Sequence, residues 1–556
     1  LYHQFAQSWR VSQQGSLFYY PKGTSTASFT DLAFPSRALT VASLTPTTVA
    51  SAERDCKAEG ITNRDLLADC LYDLGLTGGQ GACFAGAEAR VQAATGGPTA
   101  SGLPESSGAV APSSNTTPLP SPTSWVRISG GTTEATSVGS QLGLARTAGG
   151  TLNVVWNRGT TKATIFDTRI SSGGKVLGTT TVATNWSGIN GLALLPAAGN
   201  TLQLFAGGGF TGSIYNGVST FTAPASGAPW AYVPKVSWGG IPAGGPYLGA
   251  TVAGNGQAVT AWPGSYHVGL GPSGAVVPIY PDMFSSELVT DQKTGAVVVS
   301  GVTIATKGGT YVRRLLPAPG PVMLLPSSTD PRSSGEAART RTGGVYIAWA
   351  NVSGQAVELT RYQGGSRTLV QGPVPGGGLG WAAANVFAAP GGRLWVVWWG
   401  DRSNSLFVTR SNEAVSAFEP VQTLVLPDPS TDTGIVPGSQ IQGNGLAGPL
   451  DLFADTSVGN QPETGFVYTR VRALFALHES VATYVKGAKT APVKLTVLDA
   501  GDPVRGVQIT VGRQHPLTGA SGSVTLQLAP GGSYKASATA PGYVPDSISF
   551  IVPEST

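Results

Sequence analysis

Charged side chains are scarce in this sequence of 556 residues. Asp, Glu, Lys and Arg make up 12% of it, the formal net charge is +4, and no run of Lys or Arg stands out. A nucleic-acid-binding protein needs a basic surface to neutralise phosphates, so we expect no nucleic-acid partner. No apolar stretch approaches the ~18 residues that a membrane-spanning helix needs, so we also expect no membrane span.

Histidine is equally rare, with four residues in the chain. No Gly-x-Ser-x-Gly motif accompanies them, so nothing in the sequence favours a Ser–His hydrolase. Acidic loops at 427–434 and 455–465 contain oxygen ligands of the kind that Ca²⁺ prefers, but they lack the regular spacing of a Ca²⁺ loop. We therefore expect no cofactor and no metal, with Ca²⁺ as the alternative.

Cysteine is confined to one segment, at Cys56, Cys70 and Cys83. No His lies nearby and the spacings do not fit zinc. An exported protein with one disulfide is the better interpretation, most simply Cys56–Cys70. Cys83 is then either free or paired with a segment outside this chain. The chain begins at Leu1 without Met, which indicates a processed chain or a piece of a longer one.

Glycine and proline are abundant instead, with 77 and 40 residues. One phrase recurs seven times: a short apolar strand, a Gly-rich turn, and a second strand ending in an aromatic or apolar cluster. A period near 50 residues built from strands is typical of a β-propeller. Aligned on the second strand, the repeats fall at Leu152, Leu202, Ala258, Ala296, Val345, Leu394 and Leu450, with spacings of 50, 56, 38, 49, 49 and 56 residues.

These repeats predict a mainly β fold with a seven-bladed β-propeller over residues 125–485. Each blade needs four antiparallel strands, and third strands are expected at 161–170, 310–317, 356–362 and 405–410. WVRIS at 125–129 precedes the first repeat, and SVATYV at 480–485 follows the last. We therefore predict ring closure, in which a strand from one end of the repeats completes a blade at the other.

Residues 1–94 follow a different pattern and predict a small α+β segment. Short strands are expected at 16–20, 25–30 and 32–36. Helices are expected at 51–60, after Thr62, and over 82–93, which would place Cys56 and Cys70 on facing sides of a helical hairpin. Residues 95–124 are rich in Pro, Ser and Thr with almost no large apolar side chain, so they predict a linker.

The strings FAQSWRVSQQGSLFYY and AERDC…LLADCLYDLGLTG give residues 1–94 a resemblance to a known arrangement. They resemble the segment that follows a von Willebrand factor type D domain, including its C8-like module, in secreted and cell-surface proteins. The matching positions are Trp9, Leu17, Phe18, Cys56, Cys70 and Asp73. The D domain proper would lie before Leu1, so its calcium site is not carried over.

Residues 490–556 predict a separate β-sandwich, because apolar residues alternate with period two between turn signals. GDPVRGVQITV, TGASGSVTLQL and GSYKASATAPGY resemble the carboxypeptidase-regulatory-like, transthyretin-type sandwich of secreted bacterial proteins. The matching positions are Gly522, Tyr534, Gly542 and Tyr543. The resemblance implies a spacer or binding module without an activity of its own.

Tryptophan supplies the candidate binding residues. A Trp at one repeat position in four blades is expected to be core between blades: Trp156, Trp262, Trp349 and Trp398. Trp395 and Trp399 lie on the opposite strand face from Trp398, so we expect at least one of the three to face away from the core. We choose Trp399, then Trp395, as binding residues, and add His267, for which a structural role is the alternative.

The repeats show no catalytic set. Sialidase-like propellers carry S-x-D-x-G-x-x-W boxes, and no Asp occurs in the repeat-turn strings TAGGT, AAGNT, GNGQA, KTGAV, RTGGV, APGGR and LAGPL. Other glycosidases need two carboxylates, and the acids Asp282, Glu287, Asp401, Asp451 and Asp455 show no pairing.

We therefore predict a non-enzymatic, secreted or cell-surface bacterial protein for adhesion, ligand binding or assembly of an extracellular structure. Its partners would be proteins or glycans at a cell surface. A secreted glycan-active hydrolase that uses the propeller funnel is one alternative, and the subunit of a self-assembling extracellular filament is another.

Overall fold

A computed structural model describes residues 9–11, 17–19, 28–30, 119–120, 125–128, 142–158, 163–197, 200–210, 217–234, 238–239, 248–262, 264–270, 274–279, 287–302, 310–325, 334–337, 344–351, 356–362, 367–370, 383–399, 405–425, 441–457 and 464–554. Regular structure in this part of the chain is β-strand, with one 3-10 helix at Pro390–Gly392. The prediction of a mainly β fold is confirmed. The helices predicted within 51–93 and the three cysteines of that segment lie outside the described residues.

Strands β1 (Trp9–Val11), β2 (Leu17–Tyr19) and β3 (Ser28–Thr30) form a three-stranded antiparallel sheet near the N-terminus. The strands predicted at 16–20 and 25–30 are therefore present. The strand predicted at 32–36 lies outside the described residues. Two short strands, β4 (Leu119–Pro120) and β5 (Val126–Arg127), come next in the chain.

Antiparallel four-stranded meanders follow, and we call each meander a blade. Blades 1 and 2 share a sheet: β6 (Gly143–Arg146), β7 (Leu152–Arg158), β8 (Ala163–Ile170), β9 (Val176–Ala197), β10 (Thr201–Phe210), β11 (Gly217–Pro224), β12 (Ala231–Tyr232) and β13 (Trp238–Gly239). Blade 3 holds β14 (Gly249–Val252), β15 (Ala258–Trp262), β16 (Ser265–Val268) and β17 (Ala275–Pro278). Blade 4 holds β18 (Glu287–Thr290), β19 (Val297–Val302), β20 (Thr310–Leu316) and β21 (Val322–Leu324).

Blade 5 holds β22 (Ser334–Ala337), β23 (Val345–Asn351), β24 (Ala356–Arg361) and β25 (Arg367–Val370). Blade 6 holds β26 (Ala383–Ala388), β27 (Leu394–Trp399), β28 (Ser405–Arg410) and β29 (Gln422–Val425). Blade 7 holds β30 (Ile441–Asn444), β31 (Leu450–Ser457) and β32 (Thr464–Val471), with β5 as its fourth strand. The second strand of every blade begins at the predicted position or within one residue of it.

The first strands of the blades form a ring. β6 contacts the second half of β9, and contacts then run through β14, β18, β22, β26 and β30 back to β6. This circular order of antiparallel meanders is the architecture of a β-propeller. The described strands form seven meanders, and seven blades stays a prediction for the chain as a whole.

Each blade is buried on both faces because a neighbouring blade covers each side. Every residue of β15 is buried, as are Leu394 to Trp398 of β27. The repeated tryptophans lie in these interfaces, as predicted, and each packs against the preceding blade. Trp156 packs with Phe453 of blade 7, for example, and Trp398 packs with Tyr346 of blade 5.

An N-terminal strand closes the ring, as predicted. Val126 and Arg127 pair with Tyr468 and Val467 of β32, which gives blade 7 its outer strand. Residues 119–120, within the predicted linker, pair in parallel with β29 of blade 6. Trp125 donates from Nε1 to the Val425 carbonyl at 2.7 Å. The segment therefore joins blades 6 and 7 and covers strand edges that would otherwise be open.

A cluster of polar groups is buried between blades 1 and 2. Asn153 and Asp167 are fully buried on one face of blade 1, and Trp230 of blade 2 donates from Nε1 to Asp167 Oδ2 at 3.2 Å. Among the described residues, Asp167 Oδ1 and both polar atoms of Asn153 have no hydrogen-bond partner. Burial raises the pKa of Asp167 to about 7, although Trp230, Arg169 and a backbone N–H favour its charged form.

Two glycines bring the turns of blades 3 and 4 into contact. The Gly254 N–H donates to the Gly295 carbonyl at 3.2 Å. A Cβ at Gly254 would lie 2.5 Å from Gly295 Cα, which is backbone and has no rotamer to change. The sequence pattern required Gly at this turn only for tightness, whereas the structure requires it for the approach of a second backbone.

Gly254→Ala is expected to destabilise the protein by about 3 kcal/mol, the upper range for overpacking, because a backbone must shift. Urea unfolding followed by Trp fluorescence measures the effect. Gly149→Ala in the corresponding turn of blade 1 is the matched control, since its Cβ would have its nearest contact at 4.0 Å, to Thr147 Oγ1. Equal effects of the two substitutions would contradict the expectation.

The C-terminal strands form a two-sheet sandwich. They are β33 (Ala476–Val481), β34 (Ala491–Asp499), β35 (Asp502–Pro503), β36 (Gln508–Val511), β37 (Ser523–Leu528), β38 (Ser533–Thr539) and β39 (Asp546–Ile551). β33, β35 and β37 pair with β34, while β36, β38 and β39 form the second sheet. SVATYV was expected to trail the propeller. Instead, residues 476–481 pair with β34, so this strand belongs to the sandwich.

A buried ionic network joins the sandwich to blade 6, and we call it the dock. Arg410 donates from Nε to Glu419 at 3.0 Å and from Nη2 to Asp499 of the sandwich. Its guanidinium lies 5.2 Å from the Trp395 ring centre and 5.1 Å from that of Tyr543. The Tyr543 hydroxyl also donates to Asp499, at 2.8 Å. The dock therefore combines ion pairs with cation–π contacts.

Main-chain hydrogen bonds and a peripheral ion pair extend the dock. The Ala473 N–H donates to the Gly542 carbonyl at 3.0 Å, and the Val544 N–H donates to the Ala473 carbonyl at 2.8 Å. Arg393 pairs with Asp502 at 2.7 Å. The residues that link the two units thus include a strand-like bridge as well as charges.

Candidate functional site

The first strands of the blades surround a cavity of about 300 Å³ on the propeller axis. β6, β9, β14, β18 and β30 contribute most of the described lining. Binding sites of proteins are concave and hold convergent polar groups, and this cavity is concave with a mostly polar accessible lining. We call it the axial cavity.

One carboxyl group reaches into the axial cavity from blade 4. Glu287, the first residue of β18, accepts a hydrogen bond from the Gln442 side chain. Gln442 lies on β30 of blade 7, which is not a neighbour of blade 4, so this hydrogen bond crosses the cavity. Burial raises the pKa of Glu287 to about 7, and the hydrogen bond from Gln442 offsets part of the rise.

The described lining holds one basic side chain, Arg146 of β6, and its charge is already paired. Arg146 donates to Asp451, to Asn444 Oδ1 at 3.0 Å and to the Gly150 carbonyl at 2.7 Å. Asp451 is fully buried and also accepts from the Tyr468 hydroxyl at 2.7 Å. Burial raises the pKa of Asp451, while Arg470, Tyr468 and Arg146 lower it.

Hydroxyl and amide groups complete the polar lining. Thr251 of β14 and Thr290 of β18 share a hydrogen bond of 2.8 Å between their Oγ1 atoms. Gln292, just after β18, lines the cavity with an exposed side chain. Among the described lining residues, Glu287 is the one carboxylate. A two-carboxylate glycosidase mechanism would need a second acid from elsewhere.

Neither Trp395 nor His267, two of the binding residues predicted from sequence, is among the described lining of the axial cavity. Trp395 is fully buried between blades 6 and 7 and donates from Nε1 to the Gly448 carbonyl at 3.2 Å. His267 is fully buried on β16 of blade 3. The backbone of Trp399 pairs with Ala383 and Leu406, and its side chain lies outside the described residues.

The expectation that at least one of the three tryptophans faces away from the core now depends on Trp399, whose side chain lies outside the described residues, and not on Trp395 or Trp398. These two side chains do lie on opposite faces of β27, and both are buried. A propeller blade has neighbours on both sides, so alternation along its strands separates two cores rather than a core from solvent.

The residues of the axial cavity were missed because no local motif marks them. Glu287 and Asp451 appeared in the sequence as scattered acids. The available signal was a polar residue within the first strand of a blade, as in ELVT at 287–290 and IQGN at 441–444. Strand order alone does not show which of these positions face the axis.

Metal and membrane sites were also sought in the described part of the chain. It contains no cluster of three or more His, Cys, Asp or Glu side chains arranged to hold a metal ion. None of its residues belongs to a helix long and apolar enough to cross a membrane. The proposed Cys56–Cys70 disulfide lies outside the described residues.

No protein-family model matches the sequence, and no curated protein is similar to it. Solved structures with similarity to this chain include a protein of unknown function from Dyadobacter fermentans, at 12% identity over 63% of this chain and 99% of that one, with a TM-score of 0.34. AofleA from Arthrobotrys oligospora has 13% identity over 55% of this chain and 90% of its own, with a TM-score of 0.34. A polysaccharide lyase has 10% identity over 59% and 89%, with a TM-score of 0.36. The fold assignment rests on the strands of this chain.

Proposed function

We propose that this protein is a non-enzymatic, secreted or cell-surface protein that binds a ligand at the axial cavity of its propeller, in adhesion or in the assembly of an extracellular structure. The observation that carries the proposal is the cavity itself. Its described lining is mostly polar and offers amides, hydroxyls and one carboxyl, which suits binding better than two-carboxylate hydrolysis.

The flanking segments support an extracellular location. The resemblance of residues 1–94 to a von Willebrand D-associated segment and of residues 490–556 to a carboxypeptidase-regulatory-like sandwich both point to secreted mosaic proteins. The dock holds the sandwich against blade 6. The cavity therefore belongs to a folded unit that includes both the propeller and the sandwich. Glycans or proteins at a cell surface are the proposed partners.

A glycan array, a cell-binding assay and an assay for released sugar test this proposal on the full chain. We expect binding without release of product. Gln292→Trp fills the rim of the cavity and is expected to weaken binding at least tenfold. Gln257→Trp is the matched control, because Gln257 is exposed in the corresponding turn of blade 3 and does not line the cavity. Release of sugar, or equal binding by both variants, would contradict the proposal.

One observation favours a glycan-active hydrolase as the second candidate. A carboxyl whose pKa lies near 7, as for Glu287, suits a general acid at neutral pH. If the released-sugar assay is positive and Glu287→Gln abolishes the release, the hydrolase replaces the binding protein as the best assignment.

A further inference from the structure

The charge of Glu287 has no counter-charge among the described residues. Burial and the Gln442 amide account for the shift in its pKa, and no charged side chain contributes. A half-buried carboxylate without a cationic partner carries a desolvation cost, and a cation that enters the cavity would reduce that cost. As far as the described residues define it, this charge favours a cationic ligand.

Arg146 does not supply this counter-charge. Its guanidinium donates to Asp451, Asn444 and Gly150, and Asp451 is fully buried behind it. Arg146 and Glu287 are the only charged residues among the described lining. Among the described lining residues, the one charged side chain without an ion pair is thus Glu287.

Three apolar side chains of the lining can contact an alkyl chain. Leu144, Leu195 and Leu446 are half-buried and line the same cavity. An ammonium group on an alkyl stem packs its methylenes on such side chains while its three N–H donors seek oxygen acceptors. The Glu287 carboxylate and the Gln442 amide oxygen are acceptors on opposite sides of the axis.

We propose that the axial cavity binds a primary alkylammonium group, with its N–H donors on Glu287 and Gln442 and its alkyl stem on Leu144, Leu195 and Leu446. The inference rests on the proposed ligand-binding role of the cavity and names the chemical group it takes. A lysine side chain of a partner protein and a free polyamine share this chemistry.

Binding is coupled to the ionisation of Glu287. Because a nearby cation favours the carboxylate, binding releases a proton from the fraction of Glu287 that is protonated. With a pKa of about 7, about half a proton is released per ligand at pH 7. Below pH 7 the affinity falls about tenfold per pH unit, since each unit lowers the carboxylate fraction tenfold.

Isothermal titration calorimetry of the full chain tests the proposal, with n-butylammonium as the probe and n-butanol as its uncharged counterpart. Titrations at pH 7 in two buffers with different ionisation enthalpies measure the proton release. We expect n-butylammonium to bind and n-butanol not to bind. Nα-acetyl-lysine methylamide and spermidine, titrated separately, distinguish a protein side chain from a polyamine as the source.

Glu287→Gln keeps the size of the side chain and its contact with Gln442, so it is expected to fold, to lose at least tenfold in affinity and to release no proton. Gln442→Met is a second variant with an expected loss of about tenfold, from the lost acceptor. Asp167→Asn is the matched control, because Asp167 also has a pKa near 7 but lies between blades 1 and 2. Proton release should persist in it.

Equal binding of n-butylammonium and n-butanol, full binding by Glu287→Gln, or no binding of n-butylammonium would overturn the inference. Its failure is distinguishable from that of the proposed function. Glycan or cell binding that Gln292→Trp weakens, without any response to n-butylammonium, leaves the proposed function standing. Binding of n-butylammonium without any glycan or cell binding leaves the ammonium site and removes the proposed function.

Discussion

Arg410→Ala is expected to lower the free energy of unfolding by about 3–5 kcal/mol, because it removes the buried cation that Glu419 and Asp499 share. Burial disfavours the charge of Arg410, yet Glu419 and Asp499 raise its pKa. Glu419 and Asp499 are 2% and 0% exposed, so water cannot replace the guanidinium. The substitution also removes the stacking of Arg410 on Trp395 and Tyr543. Urea unfolding measures the loss.

Arg505→Ala is the control for Arg410→Ala, since Arg505 is exposed on the sandwich and its loss should change stability by less than about 0.5 kcal/mol. Limited proteolysis gives a second readout. Without Arg410, we expect cleavage near residues 472–475, between β32 and β33, at protease concentrations that leave the parent intact. A loss below about 1 kcal/mol with unchanged proteolysis would refute the role of the dock.

Asp167 is expected to lower the free energy of unfolding by about 4 kcal/mol between low and high pH, and Asp167→Asn is expected to abolish this pH-dependent loss. The folded-state pKa of Asp167 is raised from 3.8 to about 7, so between these values the folded protein binds more protons than the unfolded chain. Stability therefore falls as pH rises from about 4 to about 7 and levels off above that range. The variant lacks this fall and gains on the parent as pH rises.

The measurement is the free energy of unfolding of parent and variant at pH 4, 6 and 8. Glu287 is present in both proteins, so its contribution cancels in the difference. Asp291→Asn is the control with the opposite sign. Burial would raise the pKa of Asp291, but hydrogen bonds from Lys293, Thr294 and Gly344 lower it overall.

Asp291 therefore stabilises the folded protein above about pH 4, its unfolded-state range, and loses this contribution as pH falls. Its variant should be weakest relative to the parent at high pH, opposite to Asp167→Asn. A parent-minus-variant difference for Asp167 that stays constant from pH 4 to pH 8 would show that its carboxyl titrates normally.

The propeller architecture was predictable because it is written in short, repeated, local patterns. A Gly-rich turn between two apolar strands specifies a hairpin, and its recurrence specifies stacked meanders. The four repeated tryptophans were also assigned correctly to the core between blades. A residue at the same position of each repeat faces the same part of the neighbouring blade. The ring-closing strand at Val126 was predictable for a related reason. A single strand before the first repeat needs a pairing partner, and a blade at the other end of the repeats has an open edge that it can pair with.

The candidate functional residues were not predictable in the same way. Glu287 and Gln442 lie 155 positions apart in the sequence and meet only because the ring brings blades 4 and 7 to one axis. Trp395, a candidate binding residue from the sequence, is buried because a neighbouring blade covers the second face of its strand. The strand at 476–481 was assigned to the propeller region, but it pairs with β34 of the sandwich. Its pairing partner depends on tertiary contacts that the local sequence does not show.

What the sequence determined by itself is the local unit and its repetition, since turn chemistry and strand periodicity act over a few residues. The tertiary structure decided which groups are buried without counter-charges, which glycines touch a second backbone and which side chains face the axis. Those properties depend on distance and desolvation between segments far apart in the chain. The axial cavity, the dock and the Asp167 cluster all owe their chemistry to that assembly.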